Sequence, residues 1–81
     1  MRDLMAKIEA LAQDAGAERV TGVSVWLGAL SHMSPEHFHE HFTQAAADTL
    51  AEGAQITCET STDIAHPQAD AILLRAIETE D

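Results

Sequence analysis

Apolar residues recur at helical spacing at the start of the chain. Leu4, Ile8, Leu11, Ala12 and Ala15 fall on one face, with Met5 widening the stripe. Asp3 near the beginning and Gly16 just past the end are start and stop signals. The spacing predicts a helix over residues 3–15, with Lys7, Glu9, Gln13 and Asp14 on its solvated side. After Gly16 the period shortens. In VTGVSVWLG, Val23, Val25 and Leu27 alternate with Gly22, Ser24 and Trp26, the pattern of a strand with one covered face. The aliphatic set is expected to face the helices, which leaves Trp26 on the helix-free side.

A second helix opens at Ser34-Pro35-Glu36. A serine hydroxyl can accept a first-turn N–H, proline loses nothing at the first helical position, and a carboxylate there meets the positive end of the helix dipole. Phe38, Phe42, Ala45, Ala46 and Thr49 share a face, and the helix is expected to reach about Ala51, with Gly53 as a left-handed cap. AQITCETST reads as a second strand with Ile56 and Cys58 inward. Residues 60–70, broken by Pro67, read as a loop with His66 on the surface. AILLRAIETED reads as a third strand with an acidic end. Its Ile72 and Leu74 alternate but Ile77 falls out of phase, which predicts a bulge near Arg75-Ala76. The expected fold class is α+β, a two-layer sandwich with two helices on one face of a three-stranded sheet in the order α-β-α-β-β. Residues 1–81 read as one domain.

Four of the five histidines fall within residues 32–41. His37 and His41, four apart on the second helix, lie one above the other on one face, while His39 points away. His32 sits in the loop just before. A loop histidine with such a pair is a first shell that suits a nickel- or zinc-like ion; a solvated, His-rich helix face is the plainer account of the same residues. On the other side of the sheet, Trp26 and Leu73 form a candidate interaction surface framed by Ser24, Thr57 and Arg75. Trp26 could instead lie across neighbouring strands as cover.

The net charge of −10 argues against nucleic acid and anionic membrane surfaces as partners. No apolar run approaches a membrane span, and the opening residues lack the apolar stretch of a signal peptide. The single cysteine, Cys58, can form no internal disulfide, and a cytoplasmic location is expected. Nothing resembles a nucleophile–base pair, a phosphate-binding glycine loop or a carboxylate dyad, so no enzyme activity is expected.

Four pieces of text carry a resemblance: AGAERVTGVSVWLGALS, the SPEHF helix opening, TLAEGAQI and the closing LLRAIETE. In this order they resemble the nickel-binding domain of the HypA/HybF hydrogenase-maturation family. The resemblance implies an accessory role in nickel-enzyme maturation, with a hydrogenase subunit or a maturation GTPase as partner. Two family features have no counterpart. The family opens Met-His-Glu and holds nickel there, whereas this chain reads Met1-Arg2-Asp3. The family's zinc ribbon, with its CxxC pairs, is replaced by the short loop of residues 60–70, so no structural zinc is expected. Two readings follow. In one, a nickel metallochaperone-like protein handles Ni(II) through His37, His41 and His32. In the other, the domain is a metal-free assembly module acting through the Trp26 and Leu73 face, with a homodimer as one arrangement.

Overall fold

The computed structural model describes residues 1–80. It contains α1 (Arg2–Asp14), β1 (Arg19–Leu27), α2 (Pro35–Ala46), β2 (Gln55–Thr60) and β3 (Ile72–Glu80), the expected α-β-α-β-β order. Asp81, the end of the predicted acidic tail, lies outside the described residues. β1 is the central strand: it pairs parallel with β2 and antiparallel with β3, giving the order β2-β1-β3. The parallel pair needs a crossover, which α2 supplies.

Both helices contribute to one core, although Leu11 and Ala15, read as part of the α1 stripe, are exposed, Leu11 by 47%. Met5, Ile8 and Ala12 of α1 and Phe38, Phe42 and Ala46 of α2 close over Val20, Val23, Val25 and Leu27 of β1. Phe38 and Phe42 are stacked with ring centres 5.9 Å apart, and both are essentially inaccessible. Each such ring contributes about 1.5–3 kcal/mol through burial. Ile56 and Cys58 of β2 and Ile72, Leu74 and Ile77 of β3 pack against this core from its margins.

The predicted bulge is present. Ser24 pairs with Ala76 but Val25 pairs with Leu74, leaving Arg75 as the extra residue and returning Ile77 to the helix side opposite Val23. A second irregularity lies between Val20 and Gly22, where Val20 pairs with Thr79 and Gly22 with Glu78. It shifts the phase of β1 by one residue, so Val20 and Val23 both reach the core although an odd number of positions separates them.

One boundary departs clearly from expectation. α2 stops at Ala46, not near Ala51. The Thr49 hydroxyl donates to the Ala46 carbonyl at 2.7 Å and accepts from the Ala51 N–H at 3.1 Å. Asp48 adopts a left-handed φ of 64°, and its N–H donates to the Glu52 carboxylate at 2.8 Å. Short polar side chains that offer the backbone these alternatives end helices. The resulting turn holds the start of β1, because the Val20 N–H donates to the Leu50 carbonyl at 2.9 Å. Gly53 is left-handed as expected (φ 78°), but it closes this turn rather than the helix.

Candidate metal-handling site

β1 runs out at Leu27 and the chain turns through residues 28–34 into α2. His32 takes a left-handed φ of 57° within this turn, a conformation in which histidine is over-represented among non-glycine residues. The Ser34 hydroxyl then accepts the His37 N–H at 3.1 Å, the N-cap read from the sequence, with Pro35 and Glu36 in the first turn. This cap sets the axis along which the histidines are displayed.

The imidazoles of His37 and His41 lie with ring centres 5.7 Å apart and planes tilted by 57°. Both side chains are exposed. A ligating nitrogen sits about 2.1 Å from its ion and about 1.2 Å from its own ring centre, so rings sharing one ion lie within about 6.6 Å of each other. The observed separation is compatible with that limit. His41 also borders a hollow of about 350 Å³ between the helices, where Asp3, Lys7, Met33, Phe38 and Ile72 are among its neighbours. His32 does not complete a cluster with the pair. Among the described residues, no three His, Cys, Asp or Glu side chains gather into a group able to hold a metal.

His39, on the other side of α2, lines a second hollow of about 420 Å³ with Glu36, Pro35, Ile56 and Cys58. Residues from α2 and β2, far apart in sequence, meet there only through the parallel crossover, so no local pattern announces the hollow. Cys58 is a free, half-buried thiol, and burial pushes its pKa above the ordinary value. It is thus held as the neutral thiol near neutrality, a poor nucleophile and a poor ligand.

The helix-free side of the sheet corrects the expectation of a bare tryptophan. Trp26 is only 8% exposed. The loop between β2 and β3 folds back over it, placing the His66 ring 4.9 Å from the Trp26 ring and burying Ala69. His66, read from sequence as surface, is therefore part of the cover. Its Nδ1 accepts the Gln68 N–H at 2.9 Å, which shapes the turn. The Gly28 N–H donates to the Ala71 carbonyl and the Leu30 N–H to the Ala69 carbonyl, tying the loop to the end of β1. Leu73, paired with Trp26 across the ladder, remains half-exposed. Farther along, Arg75 of β3 reaches over β1 to the Glu59 carboxylate of β2 at 3.4 Å, an exposed ion pair.

Fold and histidines together define a small α+β domain that offers an exposed imidazole pair on one helix face. The chain belongs to the HypA family, described as hydrogenase/urease nickel incorporation, metallochaperone, hypA, whose model matches residues 1–66. That span takes in both helices, β1, β2 and the loop as far as His66. The family's role is to carry nickel for enzyme maturation rather than to catalyse a reaction. No curated protein matches the chain. None of the described helices is long and apolar enough to cross a membrane.

Proposed function

We propose that this protein is a non-enzymatic accessory factor of nickel-enzyme maturation that takes up Ni(II) through His37 and His41. The observation that carries the reading is the pair of exposed imidazoles at chelating separation on α2, in a chain of the HypA family. Two ligands make a weak, rapidly exchanging site, which suits an ion that must be handed on. His32 is the reading's third ligand, reaching the ion by rearrangement of the loop in which it sits. Folding needs no zinc in this account, residues 1–81 act as one domain, and the setting is the cytoplasm. The receiving partner is a hydrogenase subunit or a maturation GTPase. Its contact surface is the helix-free face around Leu73, with Trp26 as the buried support beneath it.

Calorimetric titration with Ni²⁺ tests the metal step. Wild type is expected to bind one ion near neutral pH. Binding should weaken on acidification, because protons compete with the ion for the ligating nitrogens. A His37→Ala/His41→Ala variant is expected to lose the heat of binding, and His32→Ala to weaken it. Binding that survives the double change would falsify the assignment.

The metal-free alternative, an assembly module that works by contact alone, draws on the lack of a three-ligand group among the described residues. A silent titration of wild type, combined with a complex formed with a candidate partner and weakened by Leu73→Ser, would favour it.

A further inference from the structure

The sheet has two free edges, and they are built differently. β3 carries the bulge at Arg75 and the charges of Arg75, Glu78 and Glu80, devices that discourage a further strand. β2 has no bulge, and Glu59 is its one charged residue. Gln55-Ile56-Thr57-Cys58-Glu59-Thr60 contains no proline, lysine or glycine and pairs with β1 in unbroken register. Among the described residues its backbone hydrogen-bonds to nothing beyond β1. Behind this edge, Ile56 and Cys58 are only half-covered, and they border the open hollow beside Pro35 and His39.

We propose that the β2 edge joins a second copy of this chain, antiparallel about Thr57, so that two three-stranded sheets become one of six strands. The edge is self-complementary. Directly opposed residues in an antiparallel pair lie on the same face of the sheet. With Thr57 opposite Thr57 of the second copy, Ile56 meets Cys58 on the helix side. On the other side Gln55 meets Glu59. Each apolar residue thus finds an apolar partner, each glutamate an amide, and no like charges face each other. This pairing does not require nickel at His37 and His41. A single edge of this length buries less than a standard interface, so the dimer is weak and concentration-dependent. Each copy carries a net charge of −10, so added salt should strengthen association by screening the repulsion.

Sedimentation equilibrium on the full chain, from micromolar to millimolar concentration at low and high salt, reads this directly. Wild type is expected to approach twice the monomer mass, more readily at high salt. Thr57 is exposed, so Thr57→Lys should keep the monomer's circular dichroism yet weaken dimerisation about tenfold or more, although it lowers the net negative charge. Thr57→Cys in a Cys58→Ser background should cross-link with oxidised glutathione. Opposed Cα atoms in such a pair lie about 4.5–5.5 Å apart, within disulfide reach. Wild-type Cys58, facing Ile56, should not cross-link. A wild type that stays monomeric throughout, a Thr57→Lys variant that still dimerises, or cross-linking through Cys58 instead would each overturn the proposal.

Discussion

The two faces of the sheet are covered by different means. On the helix side, Ile8, Val20, Val25, Leu27, Phe38 and Phe42 are at most 1% exposed. Apart from Val20, which the irregularity before Gly22 turns inward, they come from elements whose own periodicity fixes which way they point. On the other side the middle row of β1 is Gly22, Ser24 and Trp26, and the loop between β2 and β3 closes over Trp26. Gly22 lies beneath the Glu78 side chain, which an added methyl would meet at 3.3 Å. The Arg75–Glu59 pair spans the strand beyond. One face is a packed core; the other is a polar surface with a single aromatic strapped down at one end. The first is organised by many redundant contacts. The second depends on a few backbone approaches, above all that of the Ala69 carbonyl to Gly28.

That contrast can be tested by substitution, face by face. Phe38→Ala should have the largest effect, because it empties the centre of the helix-side core. It is expected to cost about 3–5 kcal/mol in urea unfolding, enough to leave so small a domain largely unfolded. A loss below about 1 kcal/mol would mean that the core is not the main source of stability.

Gly28→Ala attacks the other face. A methyl at this position runs into the Ala69 backbone, which cannot swing aside as a side-chain tip could. The loop should lift, at a cost of about 1–3 kcal/mol. Trp26 fluorescence should shift to the red as water reaches the ring, with the helices kept by circular dichroism. An unchanged emission spectrum would show that the loop does not hold Trp26.

His66→Ala is the mildest change, removing one ring from the cover. About 0.5–1.5 kcal/mol is expected, with a smaller red shift than for Gly28→Ala. A larger effect than that of Gly28→Ala would make the ring contact, rather than the backbone ties, the main fastening.

Much of the helix-side layer was legible from the residues alone. α1 and the start of α2 lie within a residue of the spacing's prediction, because Gly16 and the Ser34-Pro35 pair act on their immediate neighbours. The bulge at Arg75 was readable because Ile77 cannot face the core without it. The adjacency of His37 and His41 follows from the helical repeat. The end of α2 was not readable, since Thr49 and Asp48 fit a helical pattern until their side chains find the Ala46 carbonyl and the backbone turns. Nor was the burial of Trp26, the role of His66, or the meeting of His39 with Cys58. Each joins residues from different segments through the parallel crossover or the loop between β2 and β3. Local periodicity tells a side chain which way to point, whereas what lies opposite it is set by how distant segments close on one another. For that reason α1, the start of α2 and the histidine pair belonged to the sequence, and the tryptophan cover and the β2 hollow to the tertiary structure.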